Sequence, residues 1–244
     1  LINIKKLKIM KVVILAGGRG SRISEESKYR PKPMVKIGNK PIIWHIIKYY
    51  KSFGFREFII CAGYKKKELL NFFSKNNDLK CKIEVVDTGI DTMTGGRIKK
   101  IKKYIGNDEN FFLTYGDGLS NVDINKVYKL HLKKKRTVTL CAVKTNSKFG
   151  VIRFSKKNNQ NVLSFKEKPH DTFINGGFFV ISKNVFKYIK NSKSIFEFDC
   201  LTKLSELNEV AGYRHSGFWH CLDTMRDKED LNILWKTKPL WKRW

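Results

Sequence analysis

Short apolar blocks alternate with longer amphipathic stretches along most of this chain. The apolar blocks are rich in β-branched and aromatic residues, as buried strands are, and they span residues 12–15, 57–61, 81–86, 111–114, 137–143 and 174–181. The amphipathic stretches have helical spacing and predict helices over residues 41–53, 66–74, 96–104, 124–133, 183–189 and 198–207. Residues 150–154 and 162–165 flank a turn rich in lysine and asparagine and predict a hairpin.

Strands that alternate with helices predict an α/β fold, with a Rossmann-like, mostly parallel sheet flanked by helices on both faces. No repeat or low-complexity linker divides the chain, so we expect a single compact domain over residues 10–244. Residues 1–9 are basic and irregular, and we interpret them as an N-terminal extension that takes no part in the chemistry.

The composition predicts a globular, cytoplasmic protein. A chain of 244 residues, 41% of them hydrophobic, is long enough for a substantial core. No apolar run reaches the ~18 residues that a membrane span needs, and the start of the chain lacks the apolar stretch of a secretion signal. The five cysteines are scattered without metal-binding spacing, which predicts reduced thiols that bind no metal.

The formal net charge of +28 raises the question of nucleic-acid binding. The lysines are spread over every predicted helix and loop instead of following one face between aromatic residues. We therefore expect no nucleic-acid or membrane partner. The charge is interpreted as solvated surface that also steers anionic substrates toward a cleft.

A glycine-rich turn directly follows the first predicted strand. It reads Leu15-Ala16-Gly17-Gly18-Arg19-Gly20-Ser21-Arg22, and Pro31-Lys32-Pro33-Met34 follows downstream. Glycines let the backbone approach a ligand closely, its N–H groups can cradle phosphates, and Arg22 and Lys32 add positive charge. The turn lacks the Gly-Lys-Ser/Thr ending of a P-loop and does not run straight into a helix as a dinucleotide-binding turn does. It predicts a phosphate-binding site, with a plain glycine turn as the alternative.

Asp117 lies between two glycines just after the strand predicted over residues 111–114, where parallel sheets bind ligands. A carboxylate there suits magnesium, which prefers oxygen ligands and bridges to substrate phosphates. The alternative is an ordinary turn residue. We expect His45 to be structural, while His215 and His220 lack a convincing set of further metal ligands.

These motifs resemble those of the sugar-1-phosphate nucleotidylyltransferases, and the chain is similar to their glucose-1-phosphate cytidylyltransferase branch. The likeness covers nearly the whole chain, in blocks that occur in the order of the branch: SEE at 24–26, GNKPIIWH at 38–45, CAGY at 61–64, VDTG at 86–89, MTGGR at 93–97, YGDG at 115–118, EKP at 167–169, INGGFF at 174–179, GFW at 217–219 and LDT at 222–224. Two departures are Cys221-Leu222, where the branch usually has Pro-Met, and a shorter segment between Tyr64 and Asp87.

The resemblance implies one nucleotidyltransferase domain that transfers a cytidylyl group from CTP to α-D-glucose 1-phosphate, giving CDP-glucose and pyrophosphate. It also implies Mg²⁺ as cofactor and a homo-oligomer. The implied catalytic residues are Arg22, Lys32 and Asp117, and the implied metal ligands are Asp117 and Asp223. The implied nucleotide-binding residues are Leu15, Ala16, Gly17, Gly18, Arg19, Gly20, Ser21, Arg22, Lys32, Thr92, Arg97 and Asp117. The implied sugar-phosphate-binding residues are Lys168, Asn175 and Gly176.

Several alternatives stay open at this level. Asp223 could cap a helix that begins near Met225, and Thr94 could cap the helix that carries Arg97. Another triphosphate or another phosphorylated substrate would fit the same motifs. A catalytically silent binding paralogue would keep the same fold.

Overall fold

The computed structural model describes residues 10–75, 78–144, 151–155, 161–167 and 172–244. Within them the strands are β1 (Val12–Ala16), β2 (Lys36–Ile37), β3 (Lys40–Pro41), β4 (Glu57–Ala62), β5 (Lys82–Asp87), β6 (Asn110–Tyr115), β7 (Gly118–Ser120), β8 (Val138–Lys144), β9 (Val151–Phe154), β10 (Val162–Lys166), β11 (Phe173–Ser182), β12 (Val210–His215) and β13 (Trp219–Cys221). The α-helices are α1 (Ser24–Ser27), α2 (Ile42–Ser52), α3 (Lys66–Lys75), α4 (Thr94–Lys100), α5 (Lys102–Ile105), α6 (Ile124–Lys134), α7 (Thr202–Glu206) and α8 (Met225–Lys236). The extension predicted at residues 1–9 lies outside the described residues.

Seven strands form the central sheet, in the order β12-β8-β11-β6-β1-β4-β5. Strands β5, β4, β1 and β6 are mutually parallel, and β12 is parallel to β8. Strand β11 runs antiparallel to both of its neighbours, β6 and β8. The predicted mostly parallel α/β sheet is confirmed, with β11 as its reversed strand. Strands β9 and β10 form the predicted hairpin.

Hydrophobic cores lie on both faces of the sheet, because successive side chains of a strand point to opposite faces. Val12 and Ile14 of β1 pack in one core together with most of α2, whereas Val13 packs in the other with Ile98 of α4 and Ile105 of α5. Burial on both faces explains why the central strands consist of continuous apolar residues.

Several predicted helices differ in detail from the structure. The helix expected over 96–104 is two short helices, α4 and α5, that meet at Ile101. The segment expected as a helix over 183–189 is a 3-10 helix, Lys183–Tyr188. The helix expected over 198–207 begins two residues earlier, as the π-helix Phe196–Leu201, and continues as α7. In the described ranges, no helix is both long and apolar enough to cross a bilayer.

The carboxyl ends of β1, β4, β5 and β6 lie at one edge of the sheet, since these strands are parallel neighbours. The glycine-rich turn, Gly63, Gly89 and the Gly116-Asp117 turn follow them directly. This edge is the crevice in which open α/β sheets bind ligands.

Candidate active site

The glycine-rich turn leaves β1 and forms one wall of a cavity of about 510 Å³. Gly20 has φ of +67°, a left-handed conformation that glycine adopts without strain, and the 3-10 helix Ser21–Ile23 follows it. A Cβ atom on Gly17 would lie 2.2 Å from Nη1 of Arg97, so only glycine allows the turn to pack on this guanidinium. The turn is therefore held close to the cavity by packing from beneath.

The cavity gathers residues from the ends of several strands. Except for Arg19, all the residues implied to bind nucleotide line it: Leu15, Ala16, Gly17, Gly18, Gly20, Ser21, Arg22, Lys32, Thr92, Arg97 and Asp117. Arg19 is exposed and forms an ion pair with Asp91 at 3.2 Å. Local sequence motifs thus identified residues that the fold brings to one place.

Lys32 connects Asp117 and Asp223, two carboxylates that are far apart in the sequence. Its Nζ lies 2.6 Å from Oδ2 of Asp117 and 2.5 Å from Oδ1 of Asp223. Arg22 donates from Nη1 to Oδ2 of Asp223 at 2.7 Å. Burial by itself lowers the pKa of Lys32, but the charge of Asp117 and the hydrogen bonds to Asp117 and Asp223 outweigh burial and raise it. Lys32 therefore keeps its charge inside a largely buried site.

A two-stranded ribbon brings Asp117 and Asp223 together. Strand β7 begins one residue after Asp117, and β13 ends two residues before Asp223. The ribbon is antiparallel, with Cys221 opposite Gly118, and Leu222 N donates to Asp117 O at 2.9 Å. The backbone pairing thus places both carboxylates at the same end of the ribbon.

The two capping alternatives are wrong. The N-cap of α8 is Thr224, whose hydroxyl accepts from Asp227 N at 3.2 Å, while the Asp227 carboxylate accepts from Thr224 N at 2.7 Å. Asp223 precedes this capping box, so its carboxylate remains directed at Lys32 and Arg22. The hydroxyl of Thr94 caps no amide of α4.

Arg97 joins three loops at the floor of the cavity. Its guanidinium donates to backbone carbonyls at the carboxyl ends of three different strands, at Gly17 after β1 (2.9 Å), Ala62 at the end of β4 (3.2 Å) and Gly89 after β5 (2.8 Å). Burial lowers the pKa of Arg97. Thr92 is buried beside it and accepts from Lys100 Nζ at 3.0 Å. Arg97 positions the loops that form the cavity, and a direct contact between Arg97 and a nucleotide stays a prediction.

Comparison with known proteins decides the family. A model of the nucleotidyl transferase family matches residues 11–226. This chain belongs to the nucleotidyl transferase family. Glucose-1-phosphate cytidylyltransferase from Salmonella typhi is 40% identical to it over 259 aligned residues, covering 96% of this chain and 100% of that protein. The relative from Bacillus subtilis strain 168 named "Probable glucose-1-phosphate cytidylyltransferase" is 39% identical with the same coverage.

The fold comparison agrees with the sequence comparison. The crystal structure of HddC from Yersinia pseudotuberculosis superposes on this transferase with a TM-score of 0.73 at 25% identity, covering 93% of this chain and 100% of that one. The resemblance of the sequence to the sugar-1-phosphate nucleotidylyltransferases is confirmed. Substrates of such enzymes are a nucleoside triphosphate and a sugar phosphate, and they generally use a divalent metal ion.

A metal ion fits the carboxylate cluster of this transferase. Donor atoms of Asp117, Cys221 and Asp223 lie within 4.8 Å of one another. The ammonium group of Lys32 between the two carboxylates shows that this point attracts positive charge. Because two carboxylate oxygens are the hard ligands that magnesium or manganese prefers, Asp117 and Asp223 are the residues that would hold the ion.

The sugar side of the site is described in part. Lys168 lies outside the described residues. Asn175 lies behind the cavity wall, where Nδ2 donates to the Tyr115 hydroxyl at 3.0 Å and Oδ1 accepts from Gly177 N at 2.9 Å. Gly176 is buried, and its carbonyl accepts from Trp219 Nε1 at 2.8 Å. Sugar binding by Lys168, Asn175 and Gly176 stays a prediction.

One charged group in the cavity wall, Glu197, has no role that the sequence motifs predict. Glu197 lies on the π-helix and lines the cavity together with Thr94 and Tyr115. Thr94 and Tyr115 stand in recognised motifs, whereas Glu197 belongs to none. The signal that points to Glu197 is structural: it lies on a π-helix, and π-helical turns are often found at functional sites. The sequence alone does not show this π-helix.

Proposed function

We propose that this transferase moves a cytidylyl group from CTP to α-D-glucose 1-phosphate and releases CDP-glucose and pyrophosphate, with Mg²⁺ as the metal. The observation that carries the proposal is the Lys32–Asp117–Asp223 cluster at the mouth of the glycine-rich turn. The choice of CTP and glucose 1-phosphate rests on the relatives of that name, at 40% and 39% identity over 96% of the chain.

In this mechanism an anomeric phosphate oxygen of the sugar phosphate attacks the α-phosphorus of the triphosphate in line. The new P–O bond forms as the bond from the α-phosphorus to the bridging oxygen breaks, and pyrophosphate leaves with the electron pair. The attacking oxygen is already ionised, so the protein needs no general base. Bound Mg²⁺ supplies charge neutralisation at the phosphates.

The residues of this chain supply positioning and charge. Asp117 and Asp223 would hold the ion that neutralises phosphate charge. Lys32 and Arg22 would stabilise the charge that develops on the phosphate oxygens. The glycine-rich turn would place the triphosphate, and Lys168, Asn175 and Gly176 would bind the sugar phosphate. A homo-oligomer and a cytoplasmic location complete the proposal.

The proposal is tested by pyrophosphate release from CTP, UTP, dTTP and GTP, each combined with glucose 1-phosphate and then with other hexose 1-phosphates. Cytosine carries an amino donor where uracil carries an acceptor, and a site built for one leaves a buried group unpaired with the other. We expect kcat/KM for CTP to exceed that for UTP by at least ~10-fold, about 1.4 kcal/mol.

Equal values of kcat/KM for CTP and UTP, or a preference for GTP or dTTP, would overturn the choice of CTP and leave nucleotidyl transfer standing. The absence of pyrophosphate release from every combination would favour the silent paralogue. Mass spectrometry of the product with CTP and glucose 1-phosphate should show CDP-glucose.

A further inference from the structure

Glu197 is a carboxylate in the wall of a cavity whose substrates are anions. It enters from the π-helix Phe196–Leu201 and lines the same cavity as Lys32 and the glycine-rich turn. A negative group near a triphosphate and a sugar phosphate weakens their binding by repulsion, unless it also makes a favourable contact with one of them. We therefore looked for a part of either substrate that a carboxylate would bind.

Two hydroxyl groups hold the Glu197 carboxylate in a fixed orientation. The Tyr115 hydroxyl donates to Oε1 at 2.5 Å, and the Thr94 hydroxyl donates to Oε2 at 2.6 Å. Both donors are themselves fixed, because Thr94 Oγ1 accepts from Phe196 N at 2.9 Å and the Tyr115 oxygen accepts from Asn175 Nδ2 at 3.0 Å.

Within the part of the chain that the structure describes, the Glu197 carboxylate keeps unused capacity to accept hydrogen bonds. Among the described ion pairs none includes Glu197, and it does not belong to the Asp117–Cys221–Asp223 cluster. An ionised carboxylate has about four lone-pair positions on two oxygens, and the two hydroxyl groups use one on each. One acceptor position thus remains on each carboxylate oxygen. Two adjacent hydroxyl groups of a ligand could each donate a hydrogen bond to one of these positions.

From this geometry we propose that Glu197 binds a vicinal diol of a sugar ring in one of the two substrates. The proposal rests on the proposed function, since it takes the cavity to bind a nucleoside triphosphate and a sugar phosphate. The diol belongs either to the ribose of the triphosphate or to the hexose of the sugar phosphate. Thr94 and Tyr115 are positioning residues that act through the carboxylate.

The test uses the full-length enzyme and the pair of substrates that the wild-type protein turns over fastest in the triphosphate panel. One arm replaces the triphosphate by its 2′-deoxy and 3′-deoxy forms, and the other replaces the hexose 1-phosphate by its 2-deoxy, 3-deoxy and 4-deoxy forms. In one arm, at least one deoxy compound should lose ~10- to 100-fold in kcat/KM with the wild-type enzyme, because a hydrogen bond to a charged acceptor is lost.

Glu197→Gln should lose a similar factor with the natural pair and should no longer discriminate against the same deoxy compound. Glu206→Gln is the matched control, since Glu206 lies on the adjacent α7 and makes only an exposed ion pair with Lys203 at 3.3 Å. It should behave as the wild type. Tyr115→Phe keeps the carboxylate and should show an intermediate loss of discrimination.

The arm in which discrimination disappears identifies the ribose or the hexose as the ligand. Full discrimination by Glu197→Gln against every deoxy compound would overturn the proposal, as would equal kcat/KM of the wild-type enzyme for the natural and all deoxy substrates. Neither result would affect the proposed function, which the triphosphate panel and the search for CDP-glucose among the products test separately. Thermal unfolding of each variant checks that the fold is kept.

Discussion

At the scale of single residues, Lys32 is the centre of the site. It is 8% exposed, and its ammonium group lies between the two carboxylates that would hold a divalent ion. A buried charge that loses its partner is destabilising, so the three groups depend on one another. Under the proposed function, the same cluster would link stability to metal binding.

Replacing Lys32 by methionine should expose this link. Without metal, Lys32→Met leaves Asp117 and Asp223 facing each other and should lower Tm, whereas Mg²⁺ should raise the Tm of the variant more than that of the wild type. Turnover should fall at least ~100-fold, the loss typical of one strong electrostatic donor. Thermal unfolding with and without Mg²⁺ measures the first effect, and pyrophosphate release measures the second.

Lys11→Met is the control for this experiment, because Lys11 forms a similar ion pair with Asp108 at 2.8 Å, beside the amino ends of β1 and β6. It should show the wild-type response to Mg²⁺. If Mg²⁺ raised the Tm of Lys32→Met and Lys11→Met equally, and both variants kept normal turnover, Lys32 and the metal would not bind the same carboxylates.

Residues of the site could be predicted from the sequence where a motif is local. Asp117 and the glycine-rich turn fall into that class because each comes just after a strand that its apolar pattern reveals, and Lys32 because it stands in the Pro-Lys-Pro-Met motif. Glu197 could not be predicted, since its place in the cavity depends on hydrogen bonds to Thr94 and Tyr115, about 100 and 80 residues away in sequence. Long-range contacts of this kind carry no local periodicity.

At the scale of elements, the β7/β13 ribbon and α8 fix the position of Asp223. The Asp227 carboxylate accepts from the amides of both Asp223 and Thr224, at 3.0 and 2.7 Å. The N-terminal turn of α8 thus holds the backbone of a proposed metal ligand.

Removal of the cap should reduce stability and weaken metal binding together. Thr224→Ala should lower the free energy of unfolding by about 1 kcal/mol, as the loss of an N-cap typically does, and should raise the Mg²⁺ concentration needed for half-maximal rate. Urea unfolding and a magnesium titration of the rate check the two effects. Asp123→Ala removes the cap of α6 and should cost similar stability with no change in the magnesium requirement. An unchanged magnesium requirement in Thr224→Ala would separate α8 from the metal site.

Elements with a strong hydrophobic period were predictable, and elements defined by pairing were not. Strand β4 and helix α2 lie within one or two residues of their predictions, because burial on a face sets their apolar pattern. Strand β12 and the short strands β7 and β13 were not predicted. Residues 118–120 and 219–221 are too short to show a period, and hydrogen bonds to a distant partner define them.

At the scale of the whole molecule, two helices that pack in the same hydrophobic core, α2 and α6, are anchored by buried histidines. His45 on α2 contacts Ile37 O at 3.0 Å, and His131 on α6 contacts Thr139 Oγ1 at 3.0 Å and Asn110 Oδ1 at 3.1 Å. Burial lowers the pKa of each to about 4. The structural role expected for His45 fits this position, where its ring makes edge-to-face contacts with Trp44 and Trp235.

These histidines predict a loss of stability in mild acid. Their pKa is lower in the folded protein than the usual 6.5, so between pH 6.5 and about 4 the unfolded chain binds more protons than the folded one. Lowering the pH therefore stabilises the unfolded chain relative to the folded state. The free energy of unfolding should fall by about 2 kcal/mol per histidine between pH 7 and pH 5. His215, with a pKa that burial also lowers, adds in the same direction.

Urea unfolding at a series of pH values measures this loss. His45→Gln keeps a hydrogen-bond donor for Ile37 O and should remove the share of the pH dependence that His45 contributes. Carboxylates such as Asp78 and Asp227 have lowered pKa values and titrate in stronger acid. Stability that stays constant from pH 7 to pH 5 would contradict this account of the buried histidines.

In the proposed function, Asp117 at the carboxyl edge of the sheet holds the metal that acts on the triphosphate. The most direct test compares Asp117→Asn with Asp108→Asn in magnesium-dependent pyrophosphate release. Both carboxylates form an ion pair with a lysine and are similarly exposed, at 22% and 25%, but Asp108 lies beside the amino ends of the strands. We predict that Asp117→Asn loses at least ~100-fold in rate at saturating Mg²⁺ while Asp108→Asn stays within ~2-fold of the wild type. Near-normal turnover by Asp117→Asn would mean that Asp117 does not hold the metal.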